Sequence, residues 1–194
     1  MQGLVAGNFV QTRLMRLAVF RLLLLPMLGV AMIVAPGTVG QVRPPEGPPE
    51  EQTAQALYSL AQFTSWRGPL SLSDEVAVCT LGRDPLGRAL DGIAGRPAGG
   101  RRVIVRRFTD AASTRGCHVV FVGNTERSRL TRILRDLQGS GALTVGDAPE
   151  FARRGGMVRL MAEDGRVGLE VNQAALRDGG VRLSSRVLRL ARLI

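Results

Sequence analysis

"CHVVFVGNTERSRLTRILRDLQGSGALTVG", residues 117–146, contains the pattern that decides the fold. Its first seven residues and its last five are short apolar runs ending in glycine, which is typical of buried strands. Between them, apolar residues recur at the spacing of one helix face, at Leu130, Ile133, Leu134 and Leu137. A strand, a helix and a second strand in close succession predict two parallel strands with the helix packed on them.

The same alternation extends toward the N-terminus. Residues 75–82 (EVAVCTLG) and 101–108 (RRVIVRRF) are predicted strands, and residues 84–95 form a short helix between them. A longer helix is predicted from Glu50, because acidic residues at its start suit the helix dipole and an apolar stripe follows. That stripe comprises Ala54, Leu57, Tyr58 and Ala61.

Toward the C-terminus the pattern changes to a hairpin. Residues 157–172 form two apolar runs about Asp164-Gly165, a dipeptide typical of two-residue hairpin turns. The sequence therefore predicts an α/β fold: a single compact domain over residues 50–194, with a mixed, mostly parallel sheet flanked by helices and a β-hairpin on the C-terminal side.

The first 40 residues are predicted to be a secretory signal peptide, with translation starting at Met1 or Met15. Three arginines precede an apolar core over residues 22–35, and Thr38 and Gly40 suit cleavage after residue 40. An uncleaved membrane anchor has the same flanking charges but needs about 20 apolar residues. We expect a periplasmic protein in which the proline-rich residues 41–49 form an extended linker.

The composition is strongly basic, with a formal net charge of +10 and arginine as the basic residue throughout. Exported proteins rarely meet nucleic acid, and the aromatic residues that interleave with basic ones in stacking surfaces are missing. Anionic lipid headgroups or an acidic protein partner are therefore the expected counterparts of this charge.

Cys79 and Cys117 are the two cysteines of the chain, and His118 is its single histidine. Two cysteines in an exported chain usually pair. However, if the ends of their predicted strands align, the pair is offset by about 10 Å, too far for a disulfide. A disulfide in a staggered register and a reduced buried pair both stay open. A Cys–His catalytic dyad is excluded because neighbours on a strand point to opposite faces, and no zinc pattern is present.

Three strand ends share a glycine followed by a polar residue that caps a helix start. In a parallel sheet such ends gather at one edge, where ligands bind if the strand order reverses. The alternative is that glycine with Asp or Asn is ordinary turn chemistry. The candidate ligand crevice comprises Gly82, Arg83, Asp84, Gly123, Asn124, Gly146 and Asp147.

Two segments are candidates for recognition of a protein partner. Phe63 and Trp66 follow the wide apolar face of the first helix, and Phe151 lies beside Arg153 and Arg154 in a glycine-containing segment that suits a mobile surface loop. Burial against the sheet is the alternative for the helix residues.

The C-terminal residues predict a last helix capped by Ser184 or Ser185. Its apolar stripe comprises Val187, Leu188, Ala191 and Ile194, and arginines lie on its other faces. We expect this helix to dock on the sheet with its arginines solvated.

Several motifs together resemble the YfiR family of periplasmic proteins over most of residues 50–194. They are "LAQFTSW", "VAVCTLGRDPLGRAL", "CHVVFVGN", "ALTVGDAPEFARRGGMVRL", "GRVGLEVNQAAL" and "GVRLSSRVLRLARLI". The resemblance implies a compact α/β domain behind a signal peptide that represses an inner-membrane diguanylate cyclase by binding its periplasmic domain. It implies a regulator with neither enzymatic activity nor a cofactor or metal.

The resemblance also bears on individual residues. Cys79 and Cys117 match a family cysteine pair that forms a disulfide, which would make repression redox-sensitive. Some members carry a second pair near "GDAPEFARRGG", and this chain has none. A homodimer is compatible with the sequence, and a periplasmic sensor that binds a small ligand in the strand-end crevice is the alternative function.

Overall fold

Strands and short helices alternate along the part of the chain that the computed structural model describes, residues 49–194. The helices are α1 (Glu50–Gln62), α2 (Gly87–Asp91), α3 (Leu130–Asp136), α4 (Gln173–Asp178) and α5 (Ser185–Leu190). The strands are β1 (Thr64–Ser65), β2 (Glu75–Leu81), β3 (Pro97–Ala98), β4 (Arg101–Phe108), β5 (Val119–Val122), β6 (Leu143–Gly146), β7 (Val158–Glu163), β8 (Arg166–Val171), β9 (Arg182–Leu183) and β10 (Ala191–Leu193). Three 3-10 helices occupy Gly68–Leu72, Ala111–Thr114 and Asn124–Arg129.

The main sheet of the described residues has the strand order β10-β8-β7-β6-β5-β2-β4-β3. Its central strands β4, β2, β5, β6 and β7 are parallel, whereas β3 and β8 each run antiparallel to a neighbour. The chain leaves β2 for β4 on one side and returns to β5 on the other. The strand order therefore reverses between β2 and β5, as in doubly wound folds. The predicted α/β fold with a mixed, mostly parallel sheet is confirmed.

Apolar side chains cover both faces of this sheet, because buried strands place alternate residues on opposite faces. The first hydrophobic layer packs Val76, Val78, Val119 and Phe121 against α1, α2 and parts of α4 and α5. The second hydrophobic layer packs the intervening residues, such as Val120 and Val122, against α3. The predicted helix face of Leu130, Ile133, Leu134 and Leu137 is buried in this second layer.

The hairpin occurs where the turn signal predicts it. Strands β7 and β8 pair antiparallel from Val158–Val171 to Glu163–Arg166. Asp164 has φ 46° and Gly165 has φ 75°. Positive φ at both central residues is the geometry that favours Asp-Gly in two-residue hairpins.

The predicted C-terminal helix is shorter than the apolar stripe indicates. The side-chain oxygen of Ser184 accepts a hydrogen bond from the Val187 N–H, so the predicted cap is present. The helix ends at Leu190, and residues 191–193 form β10, which pairs parallel with β8. Arg192 on β10 forms an ion pair with the buried Glu170 of β8. These strand contacts are non-local, so they override a helical periodicity that the sequence alone displays.

The signal peptide predicted over residues 1–40 and the linker predicted over residues 41–49 lie outside the described residues, apart from Pro49. Pro49 precedes α1 directly, as its N-cap. No helix among residues 49–194 is long and apolar enough to cross a membrane.

Candidate functional site

An apolar groove of about 640 Å³ lies between α1, β8 and α5. We call it the α1–α5 groove. Leu60, Val167 and Leu169 contribute apolar surface to its lining, together with Val187 and Leu190 of α5. Its volume falls within the 300–1,000 Å³ that is usual for binding clefts, and its apolar lining is the usual composition of such sites.

The groove runs along a second face of α1, beside the face that packs into the core. Ala54, Leu57, Tyr58 and Ala61 pack into the first hydrophobic layer. Gln52, Ala56, Ser59 and Phe63, spaced by four, three and four residues, face the groove. Helix α5 has only six residues, so it leaves part of the β8 surface uncovered between itself and α1.

Side-chain contacts lie at both ends of the α1–α5 groove. At one end, Gln52 Nε2 donates to the carbonyl oxygen of Gly165 in the hairpin turn, at 3.3 Å. At the other end, the Arg186 guanidinium lies 5.6 Å from the centre of the Phe63 ring. Arg166 and Arg186 outnumber the single acid Glu51 in the lining. The rim is therefore positively charged and favours an occupant with acidic groups beside its apolar surface.

The α1–α5 groove offers few side chains that could take part in a reaction. Its lining contains neither histidine nor cysteine, and the Ser59 hydroxyl donates to the Gln55 carbonyl of its own helix. Nucleophilic catalysis needs a base within reach of the nucleophile. Across residues 49–194, no group of His, Cys, Asp and Glu side chains is arranged to hold a metal ion.

The residues predicted to contact a partner do not lie together. Phe63 lines the α1–α5 groove. Arg153 and Arg154 are exposed on the opposite face of the sheet, where Arg154 contacts Thr131 just inside α3. Two surfaces, not one, therefore carry these candidates.

Phe151 and Trp66 are buried, so the expectation that their side chains are surface contacts is wrong. The Phe151 ring fills the space above Gly146 and Gly156, where an added Cβ would approach ring atoms within 2.3 Å and 2.1 Å. These glycines make room for the ring, and the segment is a packed turn instead of a loose loop. Trp66 belongs to the first hydrophobic layer.

Trp66 packs against His118 at the start of β5. The indole Nε1 donates to the His118 carbonyl oxygen at 2.8 Å, and the two rings meet edge to face with centres 5.0 Å apart. His118 Nδ1 accepts from the Ala77 N–H at 3.1 Å, so its Nε2 carries the proton and donates to the Leu70 carbonyl at 2.9 Å. The imidazole is thus a neutral structural link between β2, β5 and the 3-10 helix Gly68–Leu72.

Acid is expected to destabilise the protein through His118. Burial lowers the pKa of this imidazole, and the nearby charges of Arg101 and Arg106 lower it further, although the Leu70 hydrogen bond opposes them. Below about pH 6.5 the unfolded chain takes up a proton that the folded chain resists. The contribution of His118 to the free energy of unfolding is therefore complete above pH 6.5. It decreases below that pH, by up to about 1.4 kcal/mol per pH unit. Urea unfolding at pH 7.5, 6.5 and 5.5 measures this slope.

His118→Asn is the matched control for that slope, because an asparagine oxygen can still accept from the Ala77 N–H. We expect the slope between pH 6.5 and 5.5 to flatten in this variant, since the chain has no other histidine. Asp147 makes a contribution of the opposite sign to the pH dependence of stability. Burial raises the pKa of its carboxyl, so the folded chain binds this proton more readily than the unfolded chain does. An unchanged slope in His118→Asn would contradict the assignment of this pH dependence to His118.

A disulfide joins Cys79 and Cys117, with 6.0 Å between their Cα atoms. The strand ends do align, with Leu81 opposite Val122, so the expected offset along the strands is present. The disulfide can form despite this offset because Cys117 lies before β5, in the turn that follows Ala111–Thr114. In that turn the Cys117 N–H donates to the Thr114 carbonyl oxygen. This turn carries Cys117 back over Cys79, in the second hydrophobic layer.

The strand-end crevice is partly filled by the protein itself. An added Cβ on Gly123 would lie 2.8 Å from the Pro85 side chain, and Gly146 is covered by Phe151. Asp147 lies beside Asn124, whose backbone N–H contributes to holding its carboxyl. The capping role predicted for the polar residues of these turns is wrong. Asp84 has φ 38°, and α2 has Leu86 at its N-cap without a side-chain cap. Gly123, not Asn124, is the N-cap of Asn124–Arg129, and Asp147 precedes a turn instead of a helix. A small cavity opens beside Gly82 and Arg83.

Sequence reasoning missed the β8 and α5 part of the groove. Leu190 is 79% exposed, although it lies on the arginine-rich side of the predicted terminal helix. A leucine among Arg186, Arg189 and Arg192 was the available signal. The contribution of β8 has no local signal, because it depends on how α1 crosses the sheet.

Comparisons with known proteins agree with this architecture. The family model described as YfiR/HmsC-like matches residues 50–192. A solved structure of a conserved domain protein from Vibrio cholerae O1 biovar eltor is 11% identical, with a TM-score of 0.50, and the match covers 75% of this chain and 60% of that chain. The ABC domain in complex with L-Trp from Streptococcus pneumoniae is 13% identical, with a TM-score of 0.50 and the same coverages of 75% and 60%.

These two structural matches show the fold alone, because their sequence identities are low. The chain spans only 60% of the length of each. No curated protein matches the chain significantly in sequence.

Proposed function

Since the chain belongs to the YfiR/HmsC-like family, we propose that it is a periplasmic regulatory binding protein of cyclic di-GMP signalling. In this proposal it represses an inner-membrane diguanylate cyclase by binding the periplasmic domain of that enzyme. Residues 1–40 direct export and are removed, residues 41–49 are a linker, and residues 50–194 are the binding domain. In this proposal the domain acts by binding a partner protein and not by catalysis.

The observation that carries the proposal is the α1–α5 groove with the exposed Leu190 beside it. Residues near the centre of such a surface, once desolvated by a partner, contribute most of the binding energy. Arg166 and Arg186 at the rim favour a partner segment that combines apolar side chains with acidic ones. Phe63 is the aromatic contact that we retain from the sequence prediction.

Redox sensitivity would have to act through the stability of the domain. Cys79 and Cys117 lie in the second hydrophobic layer, across the sheet from the α1–α5 groove. Neither sulfur can therefore contact a partner that is seated in the groove. The disulfide itself suits an oxidising compartment, in keeping with the proposed periplasmic location.

A second candidate function is the sensing of a small ligand in the same groove. The volume of about 640 Å³ and the apolar lining suit a compact apolar molecule. One of the structural matches, the Streptococcus pneumoniae ABC domain, is a complex with L-Trp. A rise in the melting temperature with L-Trp that Leu190→Asp abolishes would favour this function.

Leu190→Asp and Leu72→Asp form a matched pair that tests the proposal in cells. Leu190 is 79% exposed beside the groove, and Leu72 is 85% exposed in the 3-10 helix that follows β1. Both leucines are largely exposed, so little buried apolar surface is lost and we expect both variants to fold as the wild type does. A charge inside the contact should cost about 2 kcal/mol of binding, roughly 30-fold in affinity.

The readout is the cyclic di-GMP concentration of cells in which the gene is deleted and then complemented. We expect deletion to raise cyclic di-GMP, and the wild type and Leu72→Asp to restore the low level. Leu190→Asp should leave the level raised while accumulating normally. Equal repression by both variants would refute the groove as the contact, and a deletion without effect would refute the repressor function.

A further inference from the structure

The carboxyl ends of β2 and β5 form a second, polar cavity that the proposed partner contact does not use. The strand order reverses between these two strands, so the connections that follow them leave in opposite directions and open a crevice. The cavity measures about 280 Å³ and is lined by Gly82, Arg83, Thr109, Thr125, Glu126, Ser128 and Arg129. It is smaller than a typical cleft for a drug-sized molecule.

Hydrogen-bond donors dominate this cavity. Within the described part of the chain, Arg83 makes no ion pair, and the hydroxyls of Thr109, Thr125 and Ser128 make no hydrogen bond to the protein. Glu126 is largely buried and accepts from Arg129 Nε at 2.9 Å. The charges of Glu126 and Arg129 balance, so the charge of Arg83 is left uncompensated in a ring of hydroxyls.

The segment that carries Arg83 is held in place. The Gly82 N–H donates to the Phe108 carbonyl at 2.9 Å. Arg107 Nε donates to Asp84 Oδ1 at 2.9 Å, and its Nη2 donates to Asp91 Oδ1 at 2.8 Å. Gly82 has φ 116°, and a Cβ there would lie 2.9 Å from Glu126 Oε1. Arg83 therefore emerges from a turn whose backbone is fixed before any ligand arrives, which lowers the entropic cost of binding.

We propose that this cavity binds a small oxyanion, the phosphate or carboxylate group of a low-molecular-weight metabolite. Arg83 supplies the bidentate guanidinium, and the three hydroxyls supply further donors to the oxyanion oxygens. The site is separate from the α1–α5 groove, so it would give the regulator a second input.

The test uses the protein purified after expression of the full chain, titrated with inorganic phosphate and with citrate. Potassium chloride at matched ionic strength is the reference. We expect phosphate or citrate to raise the melting temperature where chloride does not, and calorimetry to give a saturable isotherm. If phosphate binds more tightly than citrate, the group bound is a phosphoryl group; if citrate binds more tightly, it is a carboxylate. Saturable binding of either compound supports the site.

Arg83→Gln should weaken this binding at least 10-fold, with the melting temperature in chloride unchanged because the side chain is exposed and unpaired. Arg177→Gln removes the same charge from α4, which follows the antiparallel strand β8 and thus lies at the opposite edge of the sheet. It should bind like the wild type. Equal weakening in both variants, or identical responses to phosphate, citrate and chloride, would overturn the proposal. Neither result would touch the cyclase contact, which depends on Leu190.

Discussion

Phe151→Ala is expected to lower the free energy of unfolding by about 3–5 kcal/mol, the usual cost of truncating a buried phenylalanine. The ring is fully buried in the second hydrophobic layer. Its neighbours cannot collapse into the vacated space, because the faces of Gly146 and Gly156 that it covers carry no side chain. A cavity would therefore remain, and the cavity adds to the lost transfer free energy.

Urea unfolding of Phe151→Ala and of Arg153→Ala gives a matched comparison within the same turn. Arg153 is exposed, so its replacement should change the free energy of unfolding by less than about 0.5 kcal/mol. A loss below 1 kcal/mol in Phe151→Ala would contradict the buried placement. It would also revive the interpretation that this ring contacts a partner.

Removing the disulfide should have a similar effect. Cys79 and Cys117 are 38 residues apart, and closing a loop of that length in the unfolded chain corresponds to about 4 kcal/mol of stabilisation. Both cysteines are buried, so the double variant Cys79→Ala/Cys117→Ala also loses some apolar contact. We expect a large fall in the urea midpoint of this variant.

Reductant provides the internal control for the disulfide. Wild-type protein reduced under denaturing conditions should refold to nearly the stability of the double variant, whereas reductant should leave the double variant unchanged. Equal stability of oxidised wild type and double variant would contradict a stabilising bond. Below the melting temperature of the double variant, partner binding should survive, because the bond lies across the sheet from the groove.

Local patterns accounted for most of the fold. The strand-helix-strand unit over residues 117–146, the Asp164-Gly165 turn and the Ser184 cap are all decided by residues close together in the chain. Each follows from the spacing of apolar residues or from a local backbone preference. These features could therefore be predicted without knowledge of the tertiary contacts.

Long-range packing decided the remainder. Nothing near Phe151 indicates that Gly146 and Gly156 make room for its ring, and nothing near Trp66 indicates that His118 will accept its N–H. The strand β10 forms because β8 offers an unpaired edge. The α1–α5 groove depends in the same way on three elements from opposite ends of the domain, so only its α1 residues could be anticipated.

The most direct test of the repressor function is a pull-down with the tagged full-length protein from detergent-solubilised inner membranes. Proteins retained by the wild type, by Leu72→Asp and by Leu190→Asp are identified by mass spectrometry. We expect a membrane diguanylate cyclase to be retained by the wild type and by Leu72→Asp and to be depleted with Leu190→Asp. Recovery of no diguanylate cyclase with the wild type would contradict the proposed function.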